Sequence, residues 1–420
     1  MKDQLKKMDP LSRRAFAERT AKTALGLSLL PAANSLVAAG AGKAKHVIYL
    51  YMAGGMTHLD TFDPKPGADT QGQTPAIETG VPGIKISGYM PKVAERFNDV
   101  ALIRGFTQKT GSHGAGSYWM QTGFNESASM KHPNMGAWAQ KLLGKQHPQI
   151  PDTVYIGGGA QPNGGFLGPA YSPLPIGNAS GGLPNSKPPV PEGRFETRMD
   201  ALAGLNESFL KKYETDDVKA YKEFYDNTIE FLSGDELSVF DLSKETKAKR
   251  DAYGNGGFGQ GLLLARRLVG SGVRFVKVTN GGWDMHGDLW NRAPQSIGQI
   301  DAGIGALIDD LKAEGLFDST LIVLTTEFGR TPKINARGGR DHYPRAFSGM
   351  MAGGGILGGQ AFGTTDARGI GIEKDPCPPE DFNATIAEAL GLPRDKRTFA
   401  PNGRPFLVAN EGTPIQQFFG

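Results

Sequence analysis

The stretch that decides the fold is Lys45-His46-Val47-Ile48-Tyr49-Leu50-Tyr51, a continuous apolar run rich in β-branched and aromatic residues. This composition is typical of a strand whose two faces are both buried. Similar runs recur at residues 100–103, 273–278 and 320–325, and helical stretches lie between them. The clearest helix is predicted over residues 295–312, where apolar residues recur at helical spacing. Alternating strands and helices predict an α/β fold with a mostly parallel central sheet and helices on both faces.

Composition excludes several classes of protein. Of the 420 residues, 39% are apolar and 21% are charged, which excludes wholesale disorder. The single cysteine, Cys377, excludes both a disulfide scaffold and a cysteine-rich zinc module. The chain has 59 glycines and 28 prolines, which indicates many long ordered loops.

The net charge gives no support for a nucleic-acid partner. The chain carries a formal charge of +3, but residues 1–42 alone hold seven Lys/Arg against three Asp/Glu. The remaining residues therefore have a formal charge of −1. Because nucleic-acid binding depends on a positive surface, we expect no nucleic-acid partner.

The amino terminus has the pattern of an export signal. Polar residues lead to Ser12-Arg13-Arg14-Ala15-Phe16, and a moderately apolar stretch follows over residues 24–39. We interpret residues 1–42 as a twin-arginine signal peptide, so we expect a periplasmic or secreted protein. The alternative is an amphipathic helix or membrane anchor, but the stretch is shorter than the roughly 20 apolar residues that span a bilayer. We expect no stable membrane span in the mature protein.

Residues 147–250 differ from their surroundings. Residues 147–196 are dense in proline and glycine, and residues 197–250 are charged and helical in pattern. We expect a single α/β domain over residues 43–420 that carries this region as a Pro/Gly-rich and helical insertion. A separate lid domain is the alternative.

Polar residues follow the predicted strands at the edge where ligands bind in a parallel sheet. Histidine and carboxylate side chains that meet at one edge suit a divalent metal such as zinc, manganese or iron. The alternative for each residue is a structural role, as a turn, a helix cap or a loop hydrogen bond. Glu327 is the exception, because it closes an apolar run where an unpaired carboxylate is costly. The candidate metal ligands are His58, Asp60, His113, Asp284, His286, Glu327 and His342.

Four segments of the chain resemble one family. They are residues 54–65, residues 281–286, residues 327–332 and residues 339–342, which read GGMTHLDTFDPK, GGWDMH, EFGRTP and GRDH. Together they resemble the exported bacterial family known as domain of unknown function 1501, which is grouped with the alkaline phosphatase and sulfatase superfamily. The resemblance covers essentially the whole mature chain, and it implies an alkaline-phosphatase-like fold.

The resemblance also implies a chemistry. It implies an exported hydrolase of phosphate or sulfate esters that uses one or two divalent ions, zinc or manganese. The superfamily nucleophile opens a helix that ends in a pair like Thr122-Gly123, which places it at Ser112 or His113. We favour a ligand role for His113, and we expect Arg330, Arg340 or Lys333 to hold charge on the substrate. His342 matches the late metal-binding histidine of the superfamily.

Two functions remain open at this stage. The first is hydrolysis of an anionic ester, either a small molecule or a polymer, after delivery by the twin-arginine export apparatus. The second is a degenerate, non-catalytic member that binds a ligand or a cell-envelope partner. It is favoured by two departures from the superfamily pattern: Ala53-Gly54-Gly55 replaces the aspartate after the first strand, and Glu327-Phe328 replaces an Asp-His pair.

Overall fold

A computed structural model describes residues 42–158, 163–183, 186, 190–212, 231 and 234–420. Residues 1–41, which hold almost all of the predicted export signal, lie outside the described residues. The central sheet has eight strands. In chain order they are β1 (His46–Met52), β2 (Val100–Phe106), β3 (Thr153–Ile156), β4 (Leu174–Ile176), β5 (Phe275–Asn280), β6 (Thr320–Thr325), β7 (Phe347–Ala352) and β8 (Gln360–Phe362).

The strands are arranged in the order β8-β2-β7-β6-β1-β5-β3-β4. All neighbouring pairs are parallel except those that involve β7, which runs antiparallel to β2 and β6. The predicted mostly parallel α/β sheet is therefore confirmed, and the four apolar runs form β1, β2, β5 and β6. Strand β6 lies in the interior of the sheet, between β7 and β1, so its end meets the end of β1.

Eight α-helices are described around the sheet. They are α1 (Pro91–Glu95), α2 (His113–Thr122), α3 (Met135–Leu143), α4 (Glu192–Lys212), α5 (Lys247–Tyr253), α6 (Gly257–Gly270), α7 (Leu289–Ala313) and α8 (Pro379–Ala389). Short 3₁₀ turns lie at Phe97–Asp99, Gly165–Leu167, Pro169–Tyr171, Ala179–Gly181, Asp235–Phe240, Leu242–Lys244, Phe317–Ser319, Val408–Glu411 and Gln416–Phe418. Within the described part of the chain, no helix has the length and apolar character needed to cross a membrane.

Four two-stranded antiparallel ribbons lie in the loops of the described residues. One of them pairs Gly329–Arg330 with His342–Tyr343 and sets Arg330 opposite His342. The other three pair Ala76–Glu78 with Lys85–Ser87, Thr364–Thr365 with Ile372–Lys374, and Thr398–Phe399 with Pro405–Phe406.

Helices pack against both faces of strand β1, which explains its continuous apolar run. Side chains alternate along a strand, so Ile48 and Leu50 share one face and Tyr49 takes the other. Ile48 and Leu50 belong to a buried core that includes the apolar residues of α6 and α7. The Tyr49 ring instead lies 6.1 Å from the ring of Phe382 in α8. The prediction of helices on both faces is confirmed.

Two observed elements differ from the sequence-based bounds. The helix predicted over residues 295–312 begins six residues earlier, and Pro294 lies inside it. Within residues 147–250, strands β3 and β4 extend the central sheet as parallel strands. Strand β3 has only four residues, between Pro151 and Gly157, and Pro175 interrupts β4, which hid both strands in the sequence. The single domain with an insertion stays a prediction.

Candidate metal centre

The sheet brings three loops to one edge. Strands β6, β1 and β5 are adjacent and parallel, so their carboxyl ends meet there. Asp284 follows β5 by four residues, Glu327 follows β6 by two, and Gly54 follows β1 by two. A fourth element, helix α2, begins at His113 and contributes that side chain to the same edge. This is the edge at which parallel sheets bind their ligands.

Four side chains converge there, and we call them the Asp284 cluster: Asp284, His113, His286 and His342. The Nε2 atom of His286 lies 3.0 Å from Asp284 Oδ1, and His342 Nε2 lies 3.3 Å from the same oxygen. The Nε2 atom of His113 lies 3.5 Å from Asp284 Oδ2. The Nε2 atoms of His286 and His342 are only 3.0 Å apart. All three imidazoles therefore present the same nitrogen to one carboxylate.

The opposite nitrogen of each imidazole is fixed by an acceptor. A carbonyl oxygen and an ionised carboxylate only accept hydrogen bonds, so each Nδ1 atom carries the proton. Metal-binding histidines characteristically donate their second ring N–H to a carboxylate or a backbone carbonyl. These hydrogen bonds join His113 to Glu327 Oε1 at 2.6 Å, His286 to Asp341 Oδ1 at 2.6 Å, and His342 to the Gly111 carbonyl oxygen at 2.8 Å.

In neutral rings these tautomers direct three Nε2 lone pairs at a carboxylate. The repulsion between these atoms is relieved either by a bound cation or by protonation of the imidazoles, and the ionised Asp284 favours both. Donors about 2.0–2.1 Å from a tetrahedral zinc ion are about 3.3 Å from one another, and the four contacts above span 3.0–3.5 Å. Candidate donor atoms of His113, Asp284 and His342 all lie within 4.8 Å of one another. Three imidazoles and one carboxylate suit zinc or manganese.

The charges at the cluster favour cation binding. Partial burial opposes ionisation of Asp284, but Arg330 and the imidazoles of His342 and His286 outweigh it and lower its pKa to about 2. The hydrogen bond from His286 lowers the pKa of Asp341 as well. Both carboxylates are therefore ionised at neutral pH, as metal coordination requires.

Glu327 lies at the cluster, but its side chain holds a histidine by a hydrogen bond, whereas the sequence predicted a metal ligand. It is 2% exposed, and both of its oxygens are occupied. Oε1 accepts hydrogen bonds from His113 and from the Gly54 N–H at 2.7 Å, and Oε2 accepts from the Tyr51 hydroxyl at 3.0 Å. Burial alone raises the pKa of Glu327, yet these donors, led by His113, produce a net lowering. Glu327 thus orients His113 as an anionic anchor.

Arg330 also differs from its predicted role of holding charge on a substrate. Its side chain is 1% exposed, and its donors are taken by the protein. Arg330 Nε donates to the Gly55 carbonyl oxygen at 2.9 Å, and Nη2 donates to the Gly54 carbonyl oxygen and to Asp284 Oδ1. Its Nη1 also donates to the Arg340 carbonyl oxygen at 3.0 Å, so every nitrogen of Arg330 is bonded to the protein and Arg330 fixes the Asp284 carboxylate.

Ser112 lies at the start of the helix that the sequence predicted. Helix α2 ends at Thr122, and Gly123 follows in the left-handed conformation with φ of 76°, as expected for the Thr-Gly pair. Ser112 is the exposed residue before His113, and its hydroxyl makes no hydrogen bond that caps the helix. The first backbone N–H groups of α2 consequently lack a side-chain acceptor.

The structure does not bring His58 and Asp60 into the Asp284 cluster. His58 is fully buried, and its Nε2 donates to the Gly369 carbonyl oxygen at 2.8 Å. Asp60 forms a fully buried ion pair with Arg340 at 2.8 Å and accepts a hydrogen bond from Thr57. Both residues follow β1, as predicted, but the turn after Gly55 directs them into the protein. Their contacts stabilise the loops beneath the cluster.

Two further residues support the cluster. Asp341, which lies beside the candidate ligand His342 in the sequence, anchors His286. Phe328 is fully buried, and its ring lies 4.9 Å from the His113 ring and 4.7 Å from the His342 ring. The ring of Phe328 thus packs against both imidazoles, whose own centroids are 4.5 Å apart. Sequence reasoning missed this contact, which periodicity alone cannot reveal.

Comparisons with known proteins give the following matches. The chain is similar to the lipoteichoic acid synthase LtaP from Listeria monocytogenes at 11% identity and a TM-score of 0.45, covering 92% of this chain and 79% of that one. It is similar to the PsFucS1 sulfatase from Pseudoalteromonas sp. at 14% identity and a TM-score of 0.40, covering 86% and 70%. It is similar to the phosphonate monoester hydrolase SpPMH from Silicibacter pomeroyi at 13% identity and a TM-score of 0.40, covering 89% and 76%.

No curated protein matches the chain. A family model does, and it spans residues 44–419, which include every strand of the sheet and every residue of the Asp284 cluster. The chain therefore belongs to the family described as protein of unknown function DUF1501.

Proposed function

We propose that this protein is an exported, metal-dependent hydrolase of phosphate or sulfate esters. The observation that carries the proposal is the convergence of three Nε2 atoms on the ionised Asp284, each ring held by a hydrogen bond from its Nδ1 on the far side. A divalent ion held by the Asp284 cluster would supply Lewis acidity toward the anionic oxygens of an ester. Glu327 and Asp341 orient two histidines of the cluster, and Arg330 orients Asp284 and lowers its pKa.

The start of helix α2 gives the site a second means of attracting an anion. His113 is the first residue of the helix, so the helix begins at the cluster. The positive end of a helix dipole and its unpaired N–H groups favour phosphate or sulfate at such a position. Arg330 supports this arrangement indirectly, because it holds Asp284 in place from the buried side.

Ser112 is the candidate nucleophile. Its hydroxyl is exposed, and the residue directly precedes His113 at the cluster. Attack by Ser112 would form a covalent ester and release the alcohol, and water would then hydrolyse that ester. Loss of turnover in Ser112→Ala, with metal content unchanged, supports this role. Retained turnover assigns the attack to water instead.

The proposal includes export of the protein from the cytoplasm. The segment Ser12-Arg13-Arg14-Ala15-Phe16 and the apolar stretch after it support delivery of a folded protein by the twin-arginine apparatus. That route suits a protein whose metal is bound before export. The proposed location is the periplasm or the medium.

The test is hydrolysis of 4-nitrophenyl phosphate and 4-nitrophenyl sulfate by the exported protein, purified without chelator and reconstituted with zinc or manganese. Metal-dependent turnover should fall at least about ten-fold in His342→Ala, because altering even the partners of metal ligands commonly costs about 10–100-fold. The matched control is His147→Ala, since His147 lies outside the cluster and its Nδ1 accepts only local backbone N–H groups. Absence of turnover with both esters and both metals contradicts the proposal and leaves the non-catalytic binding role.

A further inference from the structure

A second concavity lies on the same edge of the sheet as the Asp284 cluster. It has a volume of about 500 Å³ and is lined by the residues that end β5, β3 and β4 together with the start of helix α6. This volume lies within the range of about 300–1,000 Å³ that is typical of small-molecule sites. Asn280 lines the pocket and closes β5, and Asp284 follows four residues later. The chain between them spans at most about 14 Å.

The lining of this pocket is polar but uncharged. Its side-chain donors and acceptors are amides and hydroxyls, and no charged side chain is among the described residues that line it. Val278 and the buried ring of Phe258 supply apolar surface. Helix α6 starts after Gly256, which has no side chain to cap the first N–H groups. The polar residues of the lining are Asn178, Ser180, Asn255, Thr279 and Asn280.

We propose that this pocket binds the uncharged, hydroxyl-rich part of the ester, a sugar-like polyol, while the Asp284 cluster takes the anionic group. The inference rests on the proposed function for its link to an ester. Amides and hydroxyls both donate and accept hydrogen bonds, as sugar hydroxyls do, and the apolar residues match the C–H faces of a sugar ring. A free anion has only the start of helix α6 to attract it, because no cationic side chain among the described lining residues would compensate its charge.

Two glycines make the pocket testable without disturbing the fold. Gly177 and Gly257 line it, neither has a left-handed backbone, and a Cβ atom added at either meets nothing within 4 Å. Gly177→Leu and Gly257→Leu should therefore fill the pocket from two sides. The matched control is Gly298→Leu, since Gly298 has the same open surroundings in helix α7, outside the pocket.

The experiment measures binding to the purified, chelator-treated protein by saturation-transfer NMR. The probes are neutral methyl glycosides of glucose, galactose and N-acetylglucosamine at about 1–10 mM, a range that detects millimolar dissociation constants. We expect at least one glycoside to bind wild type and Gly298→Leu, and its affinity to fall at least ten-fold in Gly177→Leu or Gly257→Leu. Inorganic phosphate is tested in parallel.

The inference is overturned if no glycoside binds, if both pocket variants bind as well as wild type, or if the pocket variants weaken only phosphate binding. Hydrolysis of 4-nitrophenyl esters, which carry no sugar, reports separately on the proposed function. Glycoside binding without any such hydrolysis leaves the pocket as a polyol site and refutes the esterase. Hydrolysis without glycoside binding leaves the esterase and refutes the polyol site.

Discussion

At the scale of single residues, the centre depends on hydrogen bonds that fix which nitrogen of each histidine is free. The clearest case is His342, because its Nδ1 faces the carbonyl oxygen of Gly111, which cannot donate a proton. In the neutral ring its Nε2 is then an acceptor that lies 3.3 Å from a carboxylate oxygen of Asp284. Two acceptors at this separation call for a metal cation or a proton between them. The same logic applies to His286, whose Nδ1 faces Asp341.

A buried ion pair beneath the centre gives the first prediction. Asp60 and Arg340 are both fully buried, so Asp60→Asn leaves an uncompensated guanidinium in the interior. We expect the free energy of unfolding to fall by about 3–5 kcal/mol, as measured by urea denaturation. The control is Asp69→Asn, which removes an exposed pair with Arg368 and should leave the urea midpoint unchanged. Equal behaviour of the two variants would refute a structural role for Asp60.

His58 gives a prediction about pH. Burial lowers the pKa of His58 in the folded protein, whereas an unfolded imidazole has a pKa of about 6.5. As the pH falls below about 6.5, the unfolded state takes up a proton that the folded ring resists, so stability falls with pH. His58→Gln should therefore lose less stability than wild type between pH 7.5 and 5.5, as measured by urea denaturation at each pH. A slope equal to that of wild type would contradict this account.

At the scale of elements, the site depends on how closely the loop after β1 approaches the loop after β5. Gly54 has φ of +117°, and a Cβ atom placed there would lie 2.5 Å from the backbone nitrogen of Asp284. The Gly54 N–H also donates to Glu327, which anchors His113. One glycine thus sets the distance between two loops that supply the cluster.

Gly54→Ala should consequently damage the metal centre more than the fold. We expect metal affinity to fall at least about ten-fold, as for changes in residues that position metal ligands, measured by competition with a zinc indicator. Gly83→Ala is the matched control, because Gly83 also has a positive φ of +84° but nothing lies within 4 Å of an added Cβ atom. Similar zinc affinities in the two variants would show that the close approach at Gly54 is unimportant.

At the scale of the whole molecule, the sequence predicted what periodicity and strand ends can encode. The buried runs became β1, β2, β5 and β6, and Asp284, His286 and His342 meet at the edge that those strands define. Periodicity does not encode the direction in which the chain and its side chains turn after a strand ends. Asp60 follows β1 by eight residues and Glu327 follows β6 by two, and only the side chain of Asp60 turns inward to Arg340, because of a glycine turn and a distant loop. The short strand β4 escaped prediction for a similar reason, since its pairing with β3 is set by the sheet.

Export concerns the whole chain, and substitution of Arg13 and Arg14 tests whether it depends on the twin-arginine signal. The twin-arginine apparatus reads the pair itself, so Arg13→Lys combined with Arg14→Lys should leave the protein in the cytoplasm. Cell fractionation followed by immunodetection measures this directly. The mature domain should be as stable as wild type, because residues 44–419 contain the family match. Undiminished periplasmic protein in the double variant would refute the export signal.

The most direct test of the central claim is the metal content of the exported protein, measured by elemental analysis after purification without chelator. The Asp284 cluster predicts about one zinc or manganese ion per chain, because candidate donor atoms of His113, Asp284 and His342 lie within 4.8 Å of one another and His286 adjoins them. His286→Ala and Asp284→Ala should each lose that ion, and His147→Ala should keep it. Wild type with no stoichiometric divalent metal, even after reconstitution with zinc or manganese, would contradict the account.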